Sequence, residues 1–129
     1  MDKKAVIITG GMIGLVLAPI IIYAAAVSQR NKGQYDQLAQ CLTQNDTKMY
    51  GAYWCSHCQT QKRTFGKSFE KINYIECSLP GGKTQTEQCR EAAIKSYPTW
   101  EFADGSRLEG EISLDTLAKK TGCELKGGD

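Results

Sequence analysis

The chain has 129 residues, a length that suits one domain, with 16 basic and 14 acidic residues and a net charge of +2. So small a charge argues against a nucleic-acid partner, because the basic residues are scattered among acidic ones. Six cysteines are many for so short a chain, and a reducing cytosol would not convert them into stable bridges. We therefore predict that the folded part faces an oxidising compartment.

The first quarter of the chain is an apolar segment that we assign to a membrane. Residues 5–27 contain no charged side chain and are dominated by branched aliphatic residues. A helix of about 23 residues is roughly 34 Å long, enough to cross a bilayer core of about 30 Å. A cleaved signal peptide is the alternative, since Ala24, Ala25 and Ala26 are small residues at a plausible cleavage position. The segment exceeds a usual signal core, so we predict a retained single-pass anchor over residues 1–27, with the remainder on the extracytoplasmic side.

The remainder of the chain is predicted to hold a linker, one folded domain and a tail. The linker covers residues 28–33, the domain residues 34–123, and the flexible tail residues 124–129. Apolar spacing and turn residues predict the elements of the domain in chain order. They are a helix from Tyr35 to about Asn45, a strand over 48–53, a helix over 56–69, a strand over 72–77, a turn over 79–82, a helix over 86–94, strands over 100–102 and 107–109, and a helix that Ser113 begins and Gly122 ends.

Two cysteines separated by two residues mark the predicted start of the second helix, in the run Trp54-Cys55-Ser56-His57-Cys58. Such a pair can close a reversible disulfide, and a helix start stabilises a thiolate on its first cysteine. Haem attachment needs a histidine directly after the second cysteine, where Gln59 stands. Structural zinc needs four ligands, and the sequence has no second Cys-x-x-Cys and no pair of histidines to complete them. The motif predicts thiol–disulfide chemistry with no cofactor and no metal, against the alternatives of inert structural cysteines or an adventitious metal site.

A second motif, Tyr97-Pro98-Thr99, follows about forty residues later. Together the two motifs resemble the thioredoxin superfamily, in which a Trp-Cys-x-x-Cys turn lies against a cis-proline. Residues 49–62 and 97–101 are more similar still to the thioredoxin-like domain associated with bacterial vitamin K epoxide reductase homologues. The resemblance covers residues 35–123 and implies an α/β fold of the thioredoxin type, a central mixed sheet flanked by helices.

Both motifs contain residues to which we assign roles. Cys55 is the predicted nucleophile and should face solvent, while Cys58 lies deeper and resolves the mixed disulfide. A protonated His57 between them would favour the Cys55 thiolate. Pro98 is predicted to follow a cis bond and, with Tyr97 and Trp54, to contact substrate. The plainer alternatives are a solvated histidine, a proline that merely starts a strand, and a core tryptophan.

The sequence also departs from the thioredoxin pattern. Thioredoxins keep a buried acid about six residues before the first cysteine, where this chain has Met49, and an accompanying lysine, where this chain has Tyr74. Ser56 stands where many relatives have proline or glycine. Glu76 lies on the neighbouring predicted strand, but we do not assign it the role of the missing acid. These departures argue against efficient general-purpose reduction.

The other four cysteines are predicted to form structural disulfides. Cys77 ends a predicted strand and Cys89 opens the next helix, so a bridge between them closes a loop of about a dozen residues. Cys41 near the end of the first helix and Cys123 just past the last helix should meet at the pole opposite the motif. For a small core, two such bridges are the better expectation than free thiols.

The sequence thus predicts a membrane-anchored thiol–disulfide oxidoreductase that acts outside the cytoplasm and oxidises the dithiols of client proteins. The resemblance implies a separate quinone-coupled membrane oxidoreductase that reoxidises the motif. One alternative is a disulfide reductase or isomerase supplied by a membrane electron donor. The other is non-catalytic, an adapter or metal-handling module with the same fold.

Overall fold

The computed structural model describes residues 17–26, 33–82 and 84–126, and the chain divides into two units, Met1–Lys32 and Gly33–Asp129. In the first unit, residues 17–26 form a helix, α1, on which Leu17, Ile20 and Ile22 are exposed. The other residues of the predicted anchor, and most of the predicted linker, lie outside the described residues. Among the helices that the structure describes, none has both the length and the apolar character needed to cross a membrane.

The second unit contains helices and strands in the order that the sequence predicts. They are α2 (Asp36–Gln44), β1 (Lys48–Gly51), α3 (Ser56–Phe65), a 3-10 helix (Gly66–Lys71), β2 (Asn73–Glu76), α4 (Glu87–Glu91), β3 (Thr99–Glu101), β4 (Arg107–Glu109) and α5 (Leu114–Thr121).

The four strands form one mixed sheet in the order β2-β1-β3-β4. Strand β1 pairs parallel to β2 and antiparallel to β3, and β3 and β4 form an antiparallel hairpin. The parallel pair needs a crossover, which α3 and the 3-10 helix supply. A mixed sheet flanked by helices fits a thioredoxin-like fold and confirms the α/β prediction at that level.

Local sequence explains where α5 begins and ends and where α3 ends. At α5, the Ser113 hydroxyl accepts a hydrogen bond from the Thr116 N–H at 3.1 Å, and Gly122 ends the helix with φ +70°, both as predicted. Helix α3 is shorter than predicted. Gly66 has φ +57°, which breaks the helical hydrogen bonding, so that Phe69 lies in the 3-10 helix instead of in α3.

The core lies mainly between α2, α3, α5 and the sheet. Trp100 is fully buried on β3 and packs at 6.0 Å, ring centre to ring centre, against Phe65 of α3. The large aliphatic side chains Leu38, Leu42 and Leu117 complete this cluster. A smaller cluster contains Tyr50, Ile94, Cys77 and Cys89. Helix α3, whose first turn carries the cysteine motif, contributes Cys58 and Phe65 to the main cluster.

Two disulfides cross-link this unit, and they are the pairs that the sequence predicts. Cys41 on α2 is bonded to Cys123 just after α5, with a sequence separation of 82. Cys77 after β2 is bonded to Cys89 on α4, with a separation of 12. Cys55 and Cys58 are free thiols.

The two disulfides should differ in their contribution to stability because they close loops of very different length. Replacing Cys41 and Cys123 together by Ala should lower the free energy of unfolding by about 4.5 kcal/mol, and replacing Cys77 and Cys89 by about 3 kcal/mol. Guanidinium unfolding of the full chain, followed by tryptophan fluorescence with Cys55 and Cys58 kept reduced, measures both. A larger loss in the Cys77 and Cys89 variant would contradict this order.

Candidate active site

The turn between β1 and α3 places Cys55 immediately before Ser56, the first residue of the helix. The Cys55 N–H donates to the Ala52 carbonyl at 3.0 Å, which closes the turn. Cys55 then acts as the N-cap, and its sulfur accepts a hydrogen bond from the Cys58 N–H at 3.4 Å. The sulfur therefore lies at the N-terminal, positive end of the dipole of α3.

Cys55 is more exposed than Cys58, as expected, but both side chains are buried. Cys55 retains 8% of its accessible surface and Cys58 none. Cys55 is less exposed than expected because it packs against residue 97. Its S–H donates to the carbonyl oxygen of Tyr97 at 3.6 Å, and this carbonyl belongs to the cis Tyr97–Pro98 peptide bond. Cys55 thus keeps a small accessible surface for a substrate sulfur, and Cys58 has none.

Burial holds Cys58 in its thiol form. It raises the pKa of this thiol to about 12, and the neighbouring Cys55 acts in the same direction. A backbone hydrogen bond from Ala52 and the positive charge of Lys62 lower the pKa, but they do not offset the burial. The pair thus contains one sulfur placed for attack and one that keeps its proton at neutral pH.

Aromatic side chains border the motif on the side of β2 and α4. Trp54 is half exposed, its indole N–H donates to the Ser78 hydroxyl at 2.8 Å, and its ring meets Tyr97 edge to face at 6.1 Å. Trp54 is therefore a surface residue and not a core residue, and its role in substrate contact stays a prediction. A cavity of about 180 Å³ lies here, lined by Trp54, Cys77, Ser78, Gly82, Thr84, Gln85 and Tyr97.

His57 has a partner that the sequence analysis missed. Its Nδ1 lies 2.6 Å from a carboxylate oxygen of Glu111, in the loop between β4 and α5, and both side chains are exposed. The buried Gln61 fastens the same loop to α3, because its side-chain amide donates to the Ile112 carbonyl at 3.0 Å and accepts from the Ile112 N–H at 2.7 Å. No local signal identifies Glu111, which is 54 positions from His57.

Comparison with known proteins agrees with this geometry. No protein-family model matches the chain. Over 92 residues, 68% of this chain, the sequence is 47% identical to the thiol-disulfide oxidoreductase LTO1 of Arabidopsis thaliana, and the chain spans 24% of that protein's length. The similarity and the fold together support the thioredoxin-like redox superfamily and an oxidoreductase enzyme.

His57 is expected to make the Cys55–Cys58 couple more oxidising. In its protonated form the imidazolium would favour the reduced motif, so His57→Ala should lower the reduction potential by roughly 30 mV, a tenfold change in the equilibrium constant. Equilibration with glutathione, read by tryptophan fluorescence, gives the potential. Glu111→Gln is the matched control, since it keeps the imidazole and removes its partner. An unchanged potential in His57→Ala would leave the histidine as a solvated helix residue.

Proposed function

We propose that this chain is a membrane-anchored thiol–disulfide oxidoreductase that oxidises client dithiols outside the cytoplasm. One observation carries the proposal: Cys55 caps the helix with its sulfur at the positive end of α3, Cys58 is buried behind it, and the other four cysteines are paired. Cys55 and Cys58 are thus the two cysteines available for thiol–disulfide exchange. The similarity to LTO1 supports the same chemistry, carried over here as a proposal because the chain spans about a quarter of that protein.

The reaction needs only the two sulfur atoms of the motif and those of the client. A client thiolate attacks Cys55 Sγ in the oxidised motif, which forms a mixed disulfide and releases Cys58 as a thiolate that takes up a proton. The second client thiolate then attacks the client sulfur of the mixed disulfide and releases the Cys55 thiolate. The client loses two electrons and the motif gains them. Approach from the side of Tyr97 would set the client backbone against residues 97–98.

The N-terminal cap supports the oxidising direction. A couple whose reduced form contains a stabilised thiolate is a stronger oxidant, and Cys55 caps the N-terminus of α3, where the helix dipole acts in that sense. We assign the same effect to His57 in its protonated form.

Three features support the anchor and the compartment. Residues 5–27 lack charged side chains, and the aliphatic side chains of α1 are exposed instead of packed. Two disulfides in the second unit favour an oxidising compartment. The reduced motif must pass two electrons onward, and a linker of residues 28–33 would keep it near a membrane acceptor. From the resemblance to domains associated with vitamin K epoxide reductase homologues, we assign reoxidation to a quinone-coupled membrane oxidoreductase.

The reduction potential decides the direction of electron flow. We expect the Cys55–Cys58 couple to lie near −120 to −180 mV, well above the value of about −270 mV for thioredoxin. Glutathione equilibration of the full chain measures it. A potential at or below −270 mV would overturn the oxidant proposal in favour of a reductase supplied by a membrane electron donor.

The two cysteines should behave differently when one is removed. Cys58→Ala should accumulate mixed disulfides with clients or with a membrane reoxidant, because Cys55 can still attack and nothing resolves the product. Cys55→Ala should accumulate almost none, because Cys58 is fully buried and keeps its proton. Non-reducing gels of membranes that contain each variant show the adducts.

The Cys55→Ala, Cys58→Ala double variant is the matched control for this trapping. Equal trapping by both single variants would remove Cys55 as the sole nucleophile. Trapping by neither, with partners retained by the double variant, would support the non-catalytic adapter instead.

A further inference from the structure

The proposed exchange requires a proton to move at Cys58, and the structure makes that difficult without help. Cys58 has no exposed surface and its thiol pKa is raised to about 12, chiefly by burial. When Cys58 leaves the disulfide it must gain a proton, and when it attacks a mixed disulfide it must lose one. The charged or titratable groups that act on it are Cys55 and Lys62 of the α3 segment and Tyr74 of β2.

Gly51 creates a space that both Cys58 and Tyr74 border. A Cβ atom on Gly51 would lie 3.0 Å from Cys58 Sγ and 3.1 Å from the hydroxyl oxygen of Tyr74. A ring carbon of Tyr74 lies 2.9 Å from the same Cβ position, so the tyrosine and the sulfur both pack against the bare backbone of Gly51. This shared contact places the Cys58 sulfur within about 6 Å of the Tyr74 hydroxyl oxygen. The β1–β2 pairing maintains the arrangement, with Gly51 opposite Glu76 and Met49 opposite Tyr74.

The Tyr74 hydroxyl is connected to a carboxylate that is held in a fixed orientation. Tyr74 donates to Oε2 of Glu76 at 2.8 Å. The other oxygen of Glu76, Oε1, accepts from the N–H groups of Tyr53 at 3.1 Å and Ser78 at 2.9 Å. One oxygen of the carboxylate, Oε1, thus accepts from two backbone N–H groups, and the other, Oε2, accepts from the phenol.

Tyr74 is suited to pass a proton along and not to lose one. Burial raises its pKa above the ordinary value, and the hydrogen bond to Glu76 acts in the same direction, so the phenol stays protonated. The ammonium group of Lys62 lies 3.7 Å from the centre of the Tyr74 ring and supplies the nearby positive charge.

We propose that Tyr74 and Glu76 form a proton relay for Cys58, in which Glu76 is the base and the Tyr74 hydroxyl connects it to the sulfur. This inference rests on the proposed function and adds residues to it. For attack on a mixed disulfide, Cys58 gives its proton to the Tyr74 oxygen while the Tyr74 proton moves to Glu76 Oε2. The Cys58 thiolate then bonds to Cys55 Sγ, and the client sulfur leaves as a thiolate and takes the proton. During client oxidation, Cys58 is the leaving group and the proton returns by the same route.

A second tyrosine–glutamate pair on the same sheet offers a matched control. Tyr50 of β1 donates to Glu101 at 3.3 Å, but its ring packs with Cys77, Cys89 and Ile94, away from the motif. Replacing Tyr50 by Phe therefore removes the same hydroxyl and the same type of hydrogen bond without touching the relay.

The test uses the full chain with only Cys55 and Cys58 reduced, mixed rapidly with the aromatic disulfide DTNB. Attack by Cys55 releases one thiol in a phase whose rate depends on DTNB concentration. Attack by Cys58 on the resulting mixed disulfide releases a second thiol in a first-order phase. Tyr74→Phe should slow the second phase by about 10²-fold at pH 7, the lower end of general acid–base effects, and leave the first unchanged. Its second-phase rate should then rise about tenfold per pH unit, because hydroxide replaces the relay.

The variants separate the relay from a structural effect. Tyr50→Phe should leave both phases unchanged, and the Tyr74→Phe, Glu76→Gln double variant should be no slower than Tyr74→Phe, since the two residues act as one unit. A second phase in Tyr74→Phe with the rate and pH profile of the original chain would overturn the relay alone. Absence of the first phase in the original chain would overturn the proposed function, and the relay with it.

Discussion

The central position of β1 in the sheet is the constraint on which the site depends. Its neighbours are β2, which runs parallel, and β3, which runs antiparallel, so the end of β2 and the start of β3 meet at the edge where β1 delivers the cysteine motif. Only four residues, 52–55, separate β1 from α3. This short turn fixes Cys55 at the helix start and directs Cys58, less than one turn later, into the protein.

The two flanking strands give the two sulfur atoms different surroundings. On the β3 side, the carbonyl of Tyr97 reaches Cys55, and this is the side on which a client backbone could lie. On the β2 side, Tyr74 and Glu76 stand beside the buried Cys58. In the proposed mechanism, exchange with a client and movement of the proton would therefore occur on opposite sides of the motif, and a bound client would leave the proton's path open.

Sequence patterns predict this fold well wherever a local signal exists. The Ser113 cap, the Gly122 stop, the order of the elements and the two structural cysteine pairs all depend on residue types at short range or on a resemblance that fixes the topology. Interactions between distant segments leave no such signal. The glutamate that pairs with His57 is one example. A local signal can also be ambiguous, as at the end of α3, because a glycine inside a helical pattern need not adopt the positive φ that Gly66 has.

Sequence patterns do not show the hydrogen bonds of Glu76, and these contacts are the basis of the role proposed for it. A carboxylate in the place of Met49 would be fully buried and would need a compensating charge. Glu76 avoids that cost because it lies at the end of β2, half-buried, where two backbone N–H groups and a phenol satisfy its oxygens. The phenol extends from Glu76 to the space at Gly51 that the buried sulfur also borders. An acid at the sheet edge can thus serve a buried thiol without being buried itself, while the position beside the thiol contributes an apolar side chain to the core.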